Sequence, residues 1–342
     1  MASICNFGRY LPNRVVGNEE MASRLGCEAS WILQMSGIEE RRIAAEGETI
    51  VDMGVAAASP CVAGKIGMVI VSSGSAEMRF PGPAAEIAQR LGLAGIPAID
   101  LPMASAGSLF AITLASRLAA TYGDILVIAS EKMASFSSDK NIAILFGDGA
   151  GACLVSPSGP GLEIVDSVLH SDGTWSADLA LPWAGPIHMN GPAVIRHASG
   201  KIPAVIGEVL AQNQANADSV RCFVLHQANQ NLIDRVARTI GVPSARFYTN
   251  IRKYGNTSSA SMLIAASEWH ESAGLSNGDL VCMATFGAGF HWGALLCRQI
   301  QAWTTKQRGS APGSTSVQTP PDSPPGAPPA AAPVPATARR RH

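Results

Sequence analysis

Net charge, long apolar runs and any cysteine pattern that would hold a metal are all missing from this chain of 342 residues. Lysine and arginine number 25 against 26 aspartates and glutamates, so the formal net charge is −1. No global field therefore draws in nucleic acid or a membrane surface, and a charged partner must be met by a local patch. The opening MASICNFGRYLPNR has no apolar leader segment. No apolar run approaches the roughly 18–20 residues that cross a bilayer. The expectation is a soluble, cytoplasmic protein with no nucleic-acid or membrane partner. The seven cysteines (5, 27, 61, 153, 222, 282, 297) are odd in number, with neither CxxC nor Cys/His ligand spacing. That pattern argues against a metal site or a disulfide framework. Cys282, within DLVCMATFG, reads as a buried free thiol.

What is present is apolar and glycine-rich: 47% hydrophobic residues, 15% charged and 34 glycines, the make-up of a compact globular enzyme. The length suits two domains or one large double one. From about residue 304 the chain holds nine of its 22 prolines and almost no large apolar side chain. Such a stretch buries too little surface to offset its chain entropy, so 304–342 is expected to be a disordered tail. Its closing Arg339-Arg340-Arg341 is either solvated or a contact for an acidic partner.

The rest alternates short apolar runs with amphipathic segments. Strands are predicted at 68–74, 98–102, 124–130 and 151–156, with helices at 84–91 and 109–120 between them. A second series has strands at 162–170, 221–226, 245–250 and 279–286 and helices near 203–212, 230–240 and 258–273. Two successive βαβ-type series predict a layered α/β protein with parallel central sheets, divided into halves 1–156 and 157–303.

Four segments end a predicted strand with small or polar residues. They are MASAGS around Ser105, LHQANQNLI (225–233), YGNTSSAS (254–261) and FGAGFHWG (286–293). Groups that do chemistry gather beyond the carboxyl ends of strands in open α/β sheets, which would bring Ser105, His226, Asn256 and the 287–289 loop together. Ser105 lies at a strand-to-helix corner, where the first N–H groups of a helix have no partner of their own.

These segments, with YLPNRVVGNEE (10–20), SWILQMSGIEERRIA (30–44) and FGDGAGA (146–152), resemble the β-ketoacyl-acyl carrier protein synthase III family of thiolase-fold condensing enzymes. The likeness runs in order over about residues 1–300. It implies a thiolase-like fold, two βαβ-type halves in a layered α/β/α/β/α core. The family's triad is Cys-His-Asn. His226 and Asn256 match it, while the nucleophile position falls on Ser105 and the family's ACAG-type turn reads ASAG. The resemblance further implies an oxyanion hole from the backbone N–H groups of Ser105 and Ala288. Trp31 falls where the family stacks the adenine of coenzyme A, although a core role suits it equally, and Met35 and Asn231 replace two family arginines nearby. Arg196, Arg235 and Arg238 match basic positions that face the acidic acyl carrier protein and its phosphopantetheine, the alternative being a solvated helix face. Phe80 matches a residue that enters the partner subunit's acyl pocket, which implies a homodimer. Coenzyme A or phosphopantetheine enters as part of the substrate, with no tightly bound cofactor and no metal.

Serine changes the chemistry. A cysteine at a helix N-terminus supplies thiolate directly, whereas helix-dipole stabilisation of roughly 1–2 kcal/mol cannot ionise a hydroxyl. Ser105 therefore needs a general base, and His226 is the candidate. In the family, however, His and Asn both donate to the malonyl thioester oxygen. One nitrogen cannot accept Ser105's proton and donate to that oxygen in a single protonation state. A serine ester is also a poorer acceptor for a carbanion than a thioester. The expectation is an acyltransferase in which Ser105 takes an acyl group from a carrier-protein or coenzyme A thioester. His226 acts as base and then acid, and Asn256 as donor. The alternatives are a decarboxylative β-ketoacyl synthase of fatty acid or polyketide biosynthesis, a catalytically silent partner subunit and a thioester hydrolase.

Overall fold

Strand β1 (Ser3–Tyr10) is followed by a small excursion: β2 (Arg14–Gly17), α1 (Asn18–Leu25), α2 (Ala29–Ser36) and β3 (Glu40–Ile43), in which β2 and β3 pair antiparallel. Then come α3 (Ile50–Ala58), β4 (Ile66–Ser72), α4 (Ala84–Arg90), β5 (Ala98–Leu101), α5 (Gly107–Tyr122), β6 (Asp124–Lys132), α6 (Lys140–Ala143) and β7 (Asp148–Ser156). The second series starts with β8 (Gly161–Ser171), β9 (Leu179–Ala180), β10 (His188–Met189), α7 (Gly191–Gln212), β11 (Val220–Leu225) and α8 (Gln230–Ile240). It ends with β12 (Phe247–Tyr248), α9 (Ile251–Tyr254), α10 (Ser261–Ser272), β13 (Leu280–Gly287) and β14 (His291–Gln301). This computed structural model describes residues 1–301, and the tail expected over 304–342 lies outside the described residues.

Ten strands form one sheet in the order β12-β11-β13-β14-β8-β1-β7-β6-β4-β5. Read from either edge inward, the pattern is the same. β4 is parallel to β5 and β6, and β7 is antiparallel to β6 and β1. β11 is parallel to β12 and β13, and β14 is antiparallel to β13 and β8. The halves meet where Ser3 and Ile4 face Glu163 and Leu162. The parallel sheets expected from the sequence are thus mixed sheets. Only residues 288–290 separate β13 from β14, and a link that short makes a hairpin, not the long crossover that parallel neighbours require.

Side chains alternate across each strand, and this sets the layers. Met68 and Ile70 of β4 and Cys222 and Val224 of β11 face a central core with Leu109, Ile112 and Ala115 of α5 and Met262, Leu263 and Ala266 of α10. Val69 and Val71 face outward to Ile50, Met53 and Ile87 of α3 and α4. Phe223 and Leu225 face outward to Ile202, Ile206 and Val236 of α7 and α8. The result is a five-layered thiolase-like fold, with α5 and α10 between the two halves. Because both sheet faces are covered, the inner strands read as continuous apolar runs.

Helix α7 begins 12 residues before the predicted start at Pro203, which lies inside it. An interior proline costs about 3 kcal/mol. Ala198, Ile202, Val205, Ile206 and Val209, buried along one stripe of the helix, offset that cost.

Candidate active site

Ser105 stands in the corner between β5 and α5 with φ +51°. That is the left-handed region, which a side-chain-bearing residue enters only when its surroundings hold it there. Two glycines allow the close approach. A Cβ on Gly107 would overlap Ser72 Oγ at the end of β4, and a Cβ on Gly287 would lie 2.8 Å from Ser105 Cβ. The end of β13 therefore packs directly on the Ser105 turn.

Asn256 lies in the turn between α9 and α10. Its N–H donates to Leu145 O (2.8 Å), and its carbonyl accepts from Gly147 N–H (3.1 Å). The FGDGAGA stretch thus holds the asparagine turn from below. A Cβ at Gly147 would strike Tyr254 O, and one at Gly151 would lie 2.6 Å from Leu263 Cβ, so these glycines serve packing. Asn256 Oδ1 accepts the N–H of Ser258 (2.8 Å). Ser258 also has positive φ, at +50°. Its Oγ accepts the N–H of Ser105 (3.1 Å), tying the two corners together.

His226 follows β11, with its N–H bonded to Ala284 O (2.9 Å). Its Nδ1 lies 2.5 Å from Ser261 Oγ, at the first residue of α10. The ring is buried, and desolvation pushes its pKa down to about 4, so the imidazole is neutral near pH 7. Beneath the site, fully buried Glu131 at the end of β6 takes hydrogen bonds from Gly74 N–H (3.0 Å), Ser75 Oγ–H (2.5 Å) and Ser259 Oγ–H (2.6 Å). Burial raises its pKa and these donors oppose the shift. Glu131 pins Ser259 between Asn256 and Ser261.

The structure therefore gathers Ser105, His226, Asn256 and the 287–289 loop into one connected network. Among the described residues, however, Ser105 Oγ makes no hydrogen bond, and no Ser105–His226 pair is formed. The Ser105 N–H expected in the oxyanion hole donates to Ser258, so an oxyanion would share or displace that hydroxyl. Ala288 N–H has no partner among the described residues. The left-handed residue of that loop is Gly289 (φ +135°), not Ala288, so alanine at 288 carries no backbone strain.

The expected binding residues lie outside this network. Trp31 on α2 is half-buried, packed against the small apolar cluster that contains Val16, Ile32 and Ile144, with Lys140 Nζ 5.8 Å from its ring centre. The side chains of Asn229 and Asn231 donate to Met35 O at 2.9 and 3.3 Å, so amides cap the end of α2. Arg196 on α7 and Arg235 and Arg238 on α8 are exposed, and none forms an ion pair among the described residues. Phe80 is 83% exposed, in the segment between β4 and α4. Among the described residues no group of three or more His, Cys, Asp or Glu is placed to hold a metal, and no helix is long and apolar enough to cross a membrane. Ser258, Ser261 and Glu131 were not singled out by sequence. The first two follow Asn256 at intervals of two and five positions and sit at a helix start, where serine commonly turns its hydroxyl to backbone groups.

Comparison with known proteins gives the family. Residues 99–173 match the 3-oxoacyl-[acyl-carrier-protein] synthase III model, and residues 210–299 match its C-terminal counterpart. A β-ketoacyl-[acyl-carrier-protein] synthase III of Chlamydia caviae is 32% identical over 326 residues, spanning 88% of this chain and 97% of the relative. The chain belongs to the β-ketoacyl-[acyl-carrier-protein] synthase III family. The crystal structure of the synthase III from Aquifex aeolicus VF5 aligns with a TM-score of 0.83 at 32% identity, covering 87% of this chain and 100% of that one. The priming β-ketosynthase of the R1128 polyketide pathway aligns at 0.80 and 30% identity, covering 88% and 96%. As a member of the synthase III family, the protein is an enzyme of the transferase, condensing type, with its relatives in fatty acid and polyketide biosynthesis.

Proposed function

We propose that this enzyme carries out decarboxylative carbon–carbon condensation. An acyl group is first loaded on Ser105 from a carrier-protein or coenzyme A thioester: the ester bond forms, the thioester bond breaks and the departing thiol keeps the serine proton. A malonyl-type thioester then loses carbon dioxide. Its carbanion attacks the serine ester, the ester C–O bond breaks, and the Ser105 alkoxide takes a proton from solvent water. The observation that carries this reading is the orientation of Asn256. Its Oδ1 is engaged by Ser258 N–H, so the side chain offers the site only its NH2 group. A fixed N–H donor stabilises the enolate oxygen that forms as carbon dioxide departs.

One feature keeps simple acyl transfer as a second reading: Ser105 itself, because its ester is a weak acceptor for a carbanion. We propose homodimeric assembly, with exposed Phe80 entering the partner's acyl pocket. Arg196, Arg235 and Arg238, exposed and without an ion pair among the described residues, are proposed to receive an acidic carrier protein.

The test is product analysis with matched acyl and malonyl thioesters on coenzyme A and on carrier protein. Ketoacyl product, with a single acyl mass on the Ser105 peptide as intermediate, supports condensation. Acylation without ketoacyl product supports the second reading, and no acylation with any donor supports a silent subunit. The Ser105→Cys variant sharpens the choice. A thioester intermediate should raise ketoacyl formation at least tenfold, equivalent to removing about 1.4 kcal/mol of barrier.

A further inference from the structure

Ser261 lies at the first residue of α10 and is 2% exposed. Its Oγ has two neighbours. The backbone N–H of Gln227 donates to it at 3.0 Å, and His226 Nδ1 lies 2.5 Å away. A hydroxyl carries one hydrogen and two acceptor positions. Gln227 fills one acceptor position. Among the described residues, the only acceptor within reach of the hydroxyl hydrogen is His226 Nδ1. The hydroxyl therefore donates to Nδ1, that nitrogen is unprotonated, and the single proton of a neutral imidazole sits on Nε2. In the reverse arrangement Nδ1–H would donate to Ser261, leaving the hydroxyl hydrogen buried without an acceptor. That state is disfavoured by roughly tenfold or more.

We propose that Ser261 is a positioning residue that holds His226 in its Nε2–H form, so that His226 enters the site as a hydrogen-bond donor and not as a proton acceptor for Ser105. This rests on the condensation reading, in which His226 and Asn256 together supply the N–H donors for the thioester oxygen. In that form Nε2–H has no lone pair to take the proton of Ser105. The helix that carries Ser261 belongs to the central layer, so the donor is set by the core of the fold.

The proposal is tested on the full-length protein labelled with 15N-histidine, using two-bond 1H–15N correlation spectra near pH 7.5. The His226 signals are identified by their loss in His226→Gln. Wild type should show protonated Nε2 and bare Nδ1, Ser261→Ala a mixture of tautomers, and Ser261→Thr the wild-type pattern. In parallel, the rate of malonyl-thioester decarboxylation relative to Ser105 acylation should fall about tenfold in Ser261→Ala, in kcat more than in KM, and recover in Ser261→Thr. A merely structural role would lower both rates together. A proton on Nδ1 in wild type, or a tautomer unchanged by Ser261→Ala, overturns the proposal. Should Ser261→Ala fail to fold, the wild-type and Ser261→Thr spectra still decide it. Should wild type fail to decarboxylate any malonyl thioester, the condensation reading falls, while the spectra report on Ser261 independently.

Discussion

The corner between β5 and α5 and the corner between β12 and α10 occupy the same place in the two halves of the sheet. Each launches a central helix, and each holds a serine with φ near +50°. From there they diverge. Ser105 is 8% exposed and its hydroxyl has no hydrogen-bond partner among the described residues, whereas Ser258 is 1% exposed and its hydroxyl accepts the Ser105 N–H. One serine is left accessible for a reactant and the other fixes it in place. The strained backbone is shared by both, so strain alone does not identify a reacting group. What distinguishes Ser105 is the unspent hydroxyl.

The largest contrast between the corners should appear in covalent labelling. Ser105→Ala should abolish acyl mass addition from any thioester donor. Ser258→Ala should retain it at roughly a tenth of the rate, the cost of losing one hydrogen bond of about 1.4 kcal/mol to the Ser105 backbone. Intact mass spectrometry over a time course measures both. A wild-type acyl group mapped to Ser258 would reverse the assignment.

The halves differ next in the residue just past the equivalent strands β4 and β11: Ser73 in one, His226 in the other. The folded pKa of His226, about 4, lies below the ordinary value of 6.5. As pH falls below 6.5 the unfolded chain takes up a proton that the folded chain refuses until about pH 4. Stability should therefore drop across that window, with up to about 3 kcal/mol traceable to this residue. Urea denaturation at several pH values should show this loss in wild type, with a correspondingly weaker slope in His226→Gln. Parallel pH profiles for the two proteins would contradict the buried neutral imidazole. Glu131, whose pKa is raised by burial, works in the opposite sense. It favours the fold at low pH and loses that contribution as pH rises through its folded pKa, so only the difference between the two proteins isolates His226.

The smallest effect concerns the strain itself. Glycine adopts positive φ without penalty, so Ser105→Gly should stabilise the protein by about 1 kcal/mol while removing all acylation. Ser258→Gly gains the same relief but loses its bond to Ser105 N–H, and should leave stability nearly unchanged. Thermal melts of the two variants side by side test whether the corners carry equal strain. Equal gains would mean that the Ser258 hydroxyl contributes nothing.

Much of this molecule was legible in local pattern. Helix α8 spans the predicted 230–240, because Asn229 caps its start and Gly241 its end in a left-handed conformation. β4, β6, β11 and β13 were visible as apolar runs because helices cover both of their faces. The first strand was not, since SICNFGRY alternates by pairs and carries Asn6 and Arg9 in a half-buried stretch. β14 was hidden behind the glycines that begin FGAGFHWG. Within the site, Ser105, His226 and Asn256 stood out by position at strand ends, but Ser258 and Ser261 did not. A serine beside a helix start reads as a cap whichever group its hydroxyl finally meets.

The sequence by itself determined the layered α/β class, the alternation of elements and the side chains available for chemistry, because apolar periodicity, caps and residue type are local properties. The tertiary structure alone decided that the two halves form one mixed sheet. It also decided that the two corner serines bond to each other and that the His226 ring meets a hydroxyl on α10. Those outcomes depend on groups 153 and 35 positions apart in the chain. Only the close packing of α5 and α10 between the two halves of the sheet brings such groups within hydrogen-bond distance.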